Sequence, residues 1–373
     1  MSVCVVGAGV TGLSIAFQLM ERGAGPVTVL DGGGVAAGAS GIQPGGVRQQ
    51  WGTRASCLMA RESVEFYRDF PARLGTAARA RLEPCGYLFV ADEPESLAAL
   101  EEAAAVQHEA GVPSALVSPA EAAALVPGLA EGGFLGAAWC GEDGYFDRPQ
   151  AAVEAFAEAA VARGARLVRE HVLTLARDGA GWRLETGAGS RAADVVVVAA
   201  GCDTPALLAP LGLDVPITTE ARYLFYGEPV RERLLEPLVV AVDRGVAAKQ
   251  LADGRLLASD LRASGEIAAN ADLWRRRFRE QALPLLPILE HVALPIVAEG
   301  FYDMTPDGQP VVDTLDDGLW IAAGFSGHGF MVAPAIGRLV ADELDGRPSP
   351  EWRHALRADR FARGGHEREA QVI

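Results

Sequence analysis

The alternation of apolar and polar positions near the amino end predicts a strand, a helix and a second strand. Val3–Val6 is an apolar, β-branched run, which favours a buried strand. Residues 13–21 have the apolar spacing of an amphipathic helix, and Gly23 and Gly25 predict its end. Val27–Leu30 is the next apolar run, and Asp31 follows it. These elements predict a complete βαβ unit in about 30 residues.

Further along the chain, the pattern predicts more helices and strands. The predicted helices are 55–70, 93–110, 118–125, 148–163, 271–283 and 334–344. The predicted strands are 85–90, 134–139, 166–175, 182–186, 193–200, 292–297 and 319–323, with further strand-and-turn structure across 216–261. The arginine-rich segment after Gly346 is expected to fray beyond Gly364.

Nucleotide-type elements are expected at both ends of the chain and near its middle, so each domain is predicted to be discontinuous. The predicted fold class is α/β (α+β), in which a Rossmann-like βαβ domain is joined to a second, largely antiparallel β-sheet domain that carries the substrate. The Rossmann-like domain is assigned residues 1–80, 144–215 and 301–345, the antiparallel domain residues 81–143 and 216–300, and a C-terminal tail residues 346–373.

Composition narrows the class of protein. Of the 373 residues, 50% are hydrophobic and 22% are charged, which excludes extensive disorder. The 33 basic and 49 acidic residues give a net charge of −16, which argues against a nucleic-acid or membrane partner. Neither a leader pattern nor an apolar run of about 18 residues is found, so a cytoplasmic protein is expected. Five scattered cysteines and isolated histidines predict neither a disulfide framework nor a metal site.

The first βαβ unit carries the spacing Gly7-x-Gly9-x-x-Gly12 between its strand and its helix. In this context the first glycine permits a tight turn, the second lets the backbone approach a pyrophosphate, and the third lets helix and strand pack closely. Asp31 stands where a carboxylate accepts hydrogen bonds from ribose hydroxyls, which favours FAD or NAD over NADP. The alternative is an aspartate that only closes the loop.

Three further motifs carry a family resemblance. Residues 38–52 contain Gly-Ala-Ser-Gly and then Pro-Gly-Gly-Val-Arg-Gln-Gln-Trp-Gly, residues 300–307 read Gly-Phe-Tyr-Asp-Met-Thr-Pro-Asp, and residues 324–330 read Gly-Phe-Ser-Gly-His-Gly-Phe. With these motifs in this order, the chain resembles the D-amino-acid oxidase/sarcosine oxidase family of flavoproteins across about residues 1–345. The resemblance is specific enough to indicate the family, but it does not identify the substrate.

The resemblance implies an FAD-binding domain, with the flavin ring at its junction with the substrate domain. Residues of the cofactor site are then expected at Gly7, Gly9, Val10, Thr11, Gly12, Asp31, Gly32, Ser40, Gly41, Gly45, Gly46, Val172, Ala200, Gly201, Tyr302, Gly324, Gly327, His328, Gly329, Phe330 and Met331. Gly324, Gly327 and Gly329 let the backbone approach a flat ring, and the positive end of the helix that follows them stabilises negative charge there. The alternative for this segment is a tight strand-to-helix connection.

Arg48, Lys249 and His328 are the candidate catalytic residues. Arg48 resembles the sarcosine oxidase arginine that pairs with the substrate carboxylate, although most arginines are solvated. Lys249, the only lysine in the chain, resembles the lysine that activates oxygen above the flavin; a surface or structural lysine is the alternative. His328 lies between two glycines, where it contacts the flavin or caps the next helix.

Three positions depart from the sarcosine oxidase pattern. Gly300 replaces the cysteine that bonds to FAD, so non-covalent FAD is expected. Met331 replaces a lysine that gives a second contact to the substrate carboxylate. Asp253 lies near the place of an active-site histidine, or belongs to a turn. The aromatic residues Tyr223, Phe225 and Tyr226 either line the substrate pocket or, as is commoner on strands, pack in the core.

The function expected from the resemblance is FAD-dependent oxidation of the C–N bond of an amine or amino acid, of the sarcosine/N-methyl or D-amino-acid type. Hydride passes to the flavin, water hydrolyses the imine, and oxygen or another acceptor takes the electrons. One alternative is a hydroxy-acid or polyol-phosphate dehydrogenase on the same scaffold. Another is a non-catalytic flavoprotein or assembly subunit.

Overall fold

The structure is a computed structural model, and it describes residues 1–75, 80–364 and 366–372. The predicted boundary near residue 80 and the predicted tail therefore include a few positions (76–79, 365 and 373) outside the described residues. The strands, in chain order, are β1 Val3–Val6, β2 Val27–Leu30, β3 Gly46–Val47, β4 Leu82–Glu83, β5 Tyr87–Ala91, β6 Ala115–Val117, β7 Gly136–Cys140, β8 Gly144–Phe146, β9 Arg166–Val168, β10 Val172–Asp178, β11 Gly181–Thr186, β12 Gly189–Ala193, β13 Val195–Val198, β14 Thr218–Pro229, β15 Leu238–Ala241, β16 Val246–Gln250, β17 Arg255–Asp260, β18 Ile296–Met304, β19 Val311–Asp316 and β20 Leu319–Ala323. The helices are α1 Val10–Glu21, α2 Arg54–Arg68, α3 Phe70–Leu74, α4 Pro94–Glu109, α5 Pro119–Leu125, α6 Pro149–Ala162, α7 Thr204–Leu208, α8 Ile267–Ala282, α9 Gly329–Leu344 and α10 Arg360–Arg363.

A six-stranded sheet forms the first layer, in the order β19-β20-β13-β1-β2-β9. Strand β1 pairs in parallel with β2 and β13, and β9 and β20 extend the parallel sheet, while β19 runs antiparallel at one edge. Every residue of the valine-rich strands β1 and β13 is buried, as expected of parallel strands covered on both faces. The predicted βαβ unit is confirmed.

An eight-stranded sheet forms the second layer, in the order β18-β14-β17-β16-β15-β5-β7-β6. Its neighbouring strands are antiparallel except for the pair β15 and β5. Helix α8 packs on one face, where Trp274 and Phe278 are buried. The mixed α/β fold with a largely antiparallel second sheet is confirmed, while the division into domains stays a prediction.

Two predicted strands are wrong in their extent. The segment 166–175 forms two strands, because β9 joins the six-stranded sheet and β10 pairs with β11 in a separate three-stranded sheet. The segment 292–297 is mostly not a strand, since β18 begins only at Ile296, directly after Pro295. Val292 and Leu294 are buried in the core around α8 instead, so their apolar character reflects packing and not strand pairing.

Three helices begin three or more residues earlier than predicted, among them α8, which starts at Ile267 and not at residue 271. Helix α1 starts at Val10, which places Gly12 in its first turn. Helix α9 starts at Gly329 and continues through Pro334, which the sequence pattern predicted as its start. A proline inside a helix leaves one carbonyl without its usual N–H donor, and here that carbonyl belongs to Phe330.

No helix within residues 1–75, 80–364 and 366–372 is both long enough and apolar enough to cross a membrane.

Candidate functional site

The loop between β1 and α1 is built by close backbone contacts. Gly7 has φ +113°, and a Cβ there would lie 2.2 Å from the carbonyl oxygen of Ala199. A Cβ on Gly12 would lie 2.1 Å from the carbonyl oxygen of Gly7. Ala200 and Gly201 continue from the end of β13, and the position of a Cβ on Gly201 is open space. The structure thus brings these predicted residues to one edge of the sheet.

Asp31 holds this loop through both carboxylate oxygens. Its Oδ2 accepts a hydrogen bond from Ala8 N, and its Oδ1 accepts from Gly33 N and Gly34 N, each at 2.8 Å. The loop-closing role proposed as an alternative is therefore present in the structure. A contact of Asp31 with ribose hydroxyls stays a prediction.

Ser40 lies at the amino end of α1. Its Oγ accepts a hydrogen bond from Val10 N at 3.0 Å, and a Cβ on Gly9 would lie 3.2 Å from the same oxygen. Gly41 is held nearby, since Gln150 Nε2 donates to its carbonyl. Because free N–H groups and the helix dipole favour anions at such an end, a pyrophosphate fits this position.

The glycines of residues 7–12 and those of residues 324–329 converge where α1 and α9 pack together. A Cβ on Gly329 would lie 3.6 Å from Thr11 Oγ1. A Cβ on Gly337 would lie 2.4 Å from Ser14 Oγ and 2.8 Å from its backbone. The two helices approach so closely because glycine stands at these positions, and their amino ends meet at the loop of Gly7.

The rear loop, between β20 and α9, is fixed by the preceding motif in β18. Asp303 Oδ2 accepts a hydrogen bond from Gly324 N at 2.7 Å, and the Asp303 carbonyl accepts from Ser326 N at 2.9 Å. Gly327 has φ +85°, and a Cβ there would lie 2.1 Å from the ring of Tyr302. Glycine at 327 therefore allows Tyr302 to lie against the loop.

A second group of predicted residues lies beside the eight-stranded sheet. A Cβ on Gly45, which has φ +76°, would lie 2.6 Å from the carbonyl oxygen of Phe146. A Cβ on Gly46 would lie 3.4 Å from Tyr87 Oη and 3.5 Å from Met331 Cε. Gly46 and Met331 are thus neighbours, which connects the start of α9 to the junction of the two layers.

Three predicted cofactor residues offer less to a ligand. The ring of Phe330 stacks on Tyr67 at 5.5 Å between centroids, inside the aromatic core, so only its backbone faces the loop. Val172 is buried at the start of β10. A Cβ on Gly32 would lie 2.9 Å from His171 Cβ, so this glycine accommodates the histidine.

Arg48 is completely buried, and the interpretation as a solvated arginine is wrong. Its guanidinium carbon lies over two aromatic rings, 3.8 Å from the centroid of Trp51 and 5.1 Å from that of Phe89. Nη1 donates to the carbonyl of Gln50 and Nη2 to the carbonyl of Gln371, while Nε has no partner among the described residues. Burial lowers the pKa of Arg48.

His328 also packs against Trp51. The ring centroids are 4.4 Å apart and the planes nearly perpendicular. The histidine occupies the N-cap position of α9, but its side chain makes no capping hydrogen bond there, so the capping interpretation is wrong. Burial, and then the charge of Arg48, hold the pKa of His328 well below its ordinary value. The imidazole is therefore neutral near pH 7.

Lys249 is buried in β16, and the interpretation as a surface lysine is wrong. Its Nζ lies 3.7 Å from the ring centroid of Tyr145 and has no hydrogen-bond partner among the described residues. Tyr145 pairs with Gly46 across β3 and β8, which places the lysine near the second group of site residues. Burial lowers the pKa of Lys249 to about 7. A buried amine without a partner is costly, which favours a functional role.

Asp143 is a site residue that sequence reasoning missed. It is fully buried and accepts hydrogen bonds from Gln49 N at 2.9 Å, Gln49 Nε2 at 3.3 Å and Gln50 Nε2 at 3.2 Å. Burial raises its pKa to about 6. The carboxylate thus fixes the segment between Arg48 and Trp51. The only signal in the sequence is an acid directly before a strand that starts with glycine.

The segment 366–372 was also missed, since it was expected to fray. Glu369 in this segment is buried and accepts hydrogen bonds from Gly52 N, Thr53 N and Thr53 Oγ1. Two residues further, the Gln371 carbonyl binds Arg48. The expectation of a frayed tail is wrong for these residues, because the segment packs against the loop that carries Arg48.

Two ambiguous predictions are resolved by burial. Tyr223 and Phe225 lie in the core beneath α8, against Trp274 and Phe278, so the core interpretation is confirmed for these two residues. Tyr226 is half-buried, and its role stays a prediction. Asp253 accepts a hydrogen bond from the backbone N–H two residues later and is exposed. It belongs to a turn.

These residues fit a flavin dinucleotide. The glycine loop between β1 and α1 and the amino ends of α1 and α9 meet at one place. An anionic dinucleotide needs this combination of close backbone approach and positive helix ends. Beside them lie two buried polar atoms, the Arg48 Nε and the Lys249 Nζ, for which the described part of the chain offers no partner, and such atoms are suited to a bound polar group.

The family described as DAO, FAD dependent oxidoreductase, matches residues 2–343, and the chain belongs to this family. The resemblance inferred from the sequence is therefore confirmed, and FAD is the cofactor. The chain is 28% identical to glycine oxidase of Geobacillus kaustophilus, over 92% of this chain and 92% of that protein. It is 28% identical to FAD-dependent oxidoreductase domain-containing protein 1 of Xenopus laevis, over 91% of this chain and 78% of that protein.

Among solved structures, the chain is similar to L-proline dehydrogenase from P. horikoshii. The TM-score is 0.89 at 26% sequence identity, over 98% of this chain and 99% of that one. Glycine oxidase from Geobacillus kaustophilus gives a TM-score of 0.82 at 25% identity, over 93% of this chain and 95% of that one.

Proposed function

We propose that this FAD-dependent oxidoreductase oxidises the C–N bond of an amine or amino acid, with an amino acid favoured by Arg48. Bound FAD supplies the hydride acceptor, and water hydrolyses the resulting imine. The observation that carries the proposal is a fully buried guanidinium, packed on Trp51 beside the glycine loops of the cofactor site, whose Nε has no partner among the described residues. Relatives named glycine oxidase and D-amino acid dehydrogenase support the class of substrate.

Arg48 would orient the substrate through its carboxylate. A carboxylate bound there would accept hydrogen bonds from the guanidinium N–H groups, which form parallel bonds with two oxygens. Charged hydrogen bonds of this kind are worth about 1.5–3 kcal/mol each. Such a contact would restrict the orientations of a bound amino acid, and transfer of its Cα hydride needs a restricted orientation.

His328 would provide a neutral polar group in the same place. Because its pKa is held well below the ordinary value, the imidazole does not compete with Arg48 for the carboxylate. Its ring nitrogens are then available for a hydrogen bond to the cofactor or to the amine. We assign it this binding role and not the role of a general acid.

Lys249 would favour oxygen as the electron acceptor. A buried amine with a pKa near 7 carries its charge on a large part of the molecules at neutral pH. A positive charge in a buried site stabilises negative charge that develops on oxygen.

The experiment is a substrate screen with the purified yellow protein. Glycine, N-methyl glycine, L-proline, D- and L-amino acids, simple amines and hydroxy acids are mixed with the enzyme without air, and bleaching of the flavin absorbance is followed. Peroxide is measured separately in air. Bleaching by amino acids supports the proposal; bleaching by hydroxy acids alone, or by none of the compounds, contradicts it.

Arg48→Ala tests the role of the guanidinium. We expect kcat/KM for the best amino acid to fall about 100-fold or more, since two charged hydrogen bonds are lost. Arg54→Ala, at an exposed arginine on α2, is the matched control and should leave kcat/KM unchanged. An unchanged value in Arg48→Ala removes the carboxylate contact from the proposal.

A further inference from the structure

The segment 366–372 is hydrogen-bonded to one of the two terminal nitrogens of the Arg48 guanidinium. The Gln371 carbonyl accepts a hydrogen bond from Arg48 Nη2, although the two residues are 323 positions apart. A peptide carbonyl is a neutral acceptor with one oxygen, whereas a carboxylate is charged and has two. A buried guanidinium therefore gains more from a carboxylate than from this carbonyl.

Glu369 holds the segment in place at the amino end of α2. Its Oε1 accepts from Gly52 N at 2.8 Å, and its Oε2 accepts from Thr53 N and Thr53 Oγ1, both at 3.1 Å. Thr53 is the N-cap residue of α2, so the carboxylate also meets the positive end of the helix. These contacts place the Gln371 carbonyl opposite Arg48.

The motif in residues 304–307 anchors the same segment. The carboxylate of Asp307 is fully buried and accepts hydrogen bonds from Arg360 at 2.7 and 3.0 Å. The Asp307 carbonyl accepts from Glu369 N at 2.8 Å, and Gln309 Nε2 donates to the Glu367 carbonyl at 2.7 Å. Most of these contacts hold the backbone up to residue 369. Gln371 is half-buried and lies beyond them, with its N–H donating to Glu369 Oε1 at 3.0 Å.

We infer that residues 370–372 are a displaceable strap, and that a substrate carboxylate must take the place of the Gln371 carbonyl on Arg48. Glu369 is then a positioning residue that sets how strongly the strap competes. The inference rests on the proposed role of Arg48, and it deepens that role. An uncharged ligand gains too little at Arg48 to displace the strap, so the site selects amino acids over simple amines.

The first experiment compares acetate with acetamide, which has nearly the same shape without charge. Binding to the full-length holoenzyme is measured by equilibrium dialysis and by the change in flavin absorbance. We expect acetate to bind and acetamide not to. In Glu369→Gln the strap is weaker, and we expect acetate to bind about threefold more tightly or better. Glu367→Gln makes the same charge change at an exposed position nearby and should have no effect.

The second readout follows the strap itself. Gln371 N donates a hydrogen bond to Glu369 Oε1 at 3.0 Å, so displacement of residues 370–372 should expose this amide to hydrogen exchange. We expect acetate, and not acetamide, to speed exchange in the peptide that contains residues 370–372 of the native protein. Glu369→Gln should speed it without any ligand.

A disulfide clamp gives the opposite perturbation. A Cβ on Gly52 would lie 3.7 Å from Gln371 Cγ, so Gly52→Cys combined with Gln371→Cys is within reach of a disulfide. The same Cβ would lie 2.9 Å from Glu369 Oε1, so the effect of the disulfide is taken from the oxidised and reduced forms of the double variant. The oxidised double variant should bind acetate about tenfold more weakly or worse, and reduction should restore binding. Each single variant serves as a control for the effect of the new cysteine.

The outcomes separate this inference from the proposed function. Equal acetate affinity in the wild type, Glu369→Gln and the oxidised clamp overturns the strap, and the proposed function stands if amino acids still bleach the flavin. Absence of acetate binding together with absence of bleaching overturns both.

Discussion

The hydroxyl of Tyr67 donates a 2.6 Å hydrogen bond to the backbone carbonyl of Phe330, 263 residues later in the chain. Within α9 this carbonyl would pair with the N–H of residue 334, but Pro334 has none. Tyr67 on α2 therefore supplies the donor that the proline lacks. As a result, α9 extends through the proline to Gly329, and its amino end reaches the site.

Tyr67→Phe should lower the free energy of unfolding by about 1–3 kcal/mol, since it leaves a buried carbonyl without a donor. In the background of Pro334→Ala, the same change should cost much less, because the restored backbone N–H can pair with Phe330. Urea unfolding of the four proteins measures this difference. Equal costs in the two backgrounds would show that the hydroxyl does not replace the missing N–H.

Gly337→Ala should push α1 and α9 apart. The new methyl group would lie 2.8 Å from the Ser14 backbone, which cannot move without shifting the helix. We expect a loss of about 1–3 kcal/mol in unfolding free energy, together with weaker retention of FAD during gel filtration. Gly187→Ala is the control, because a Cβ on Gly187 meets nothing within 4 Å. Normal FAD retention in Gly337→Ala would argue against a tight α1–α9 contact at the site.

Asp143 should make stability depend on pH in an unusual direction. Its folded-state pKa is raised from 3.8 to about 6, so the folded protein binds this proton more tightly than the unfolded chain does. The contribution of this carboxyl group to the free energy of unfolding is therefore present below pH 4. It falls as the pH rises to 6, by about 3 kcal/mol in all. Asp143→Asn should lack this fall. Unfolding free energies of both proteins at pH 4 and pH 7 provide the comparison.

Glu142→Gln is an informative control, because the pKa of Glu142 is lowered whereas that of the neighbouring Asp143 is raised. Its hydrogen bond with Arg68 lowers the pKa of Glu142, so its contribution is present above the ordinary pKa and is lost as the pH falls. The two variants should therefore differ from the wild type with opposite pH trends. The same trend in both would contradict the assignment to Asp143.

Lys249 should give the reaction with oxygen a pH dependence centred near 7. Its pKa is lowered to about 7, so its charge is present below that pH and is lost as the pH rises through it. If the charge assists oxygen, re-oxidation of the substrate-treated enzyme by air slows across this range in the wild type. Lys249→Met should be slow at every pH, and Lys249→Arg should stay fast above pH 7. Stopped-flow absorbance in aerated buffer follows the rate, and a wild-type profile in Lys249→Met refutes the role.

Gly300 predicts that FAD is held without a covalent bond. Acid precipitation should leave the yellow colour in the supernatant, and mass spectrometry should give the mass of the unmodified chain. A Cβ at this position would lie 3.6 Å from Ile42 Cγ2, an ordinary contact, so Gly300→Cys is a variant that the fold accommodates. Flavin mass on the wild-type chain would show that another residue forms the bond.

The sequence predicted those features that depend on neighbours in the chain. The βαβ unit and the glycine spacings are local, and the contact of Gly12 with Gly7 follows from the short loop between strand and helix. The pairing of Arg48 with Gln371 could not be predicted, because arginine-rich polar segments are typical of exposed tails. Asp143 was missed for the same reason: an acid is usually exposed, and only the tertiary fold buries it among amide donors.

The contacts between Arg48 and Gln371 and between α1 and α9 have a consequence for biosynthesis. The glycine loop before α1 is synthesised about 300 residues before the residues of α9 that complete the other side. A nascent chain can therefore form the early βαβ unit long before it can enclose the coenzyme. Stable FAD loading must wait until α9 has been translated, so products that end before Gly329 should be released colourless.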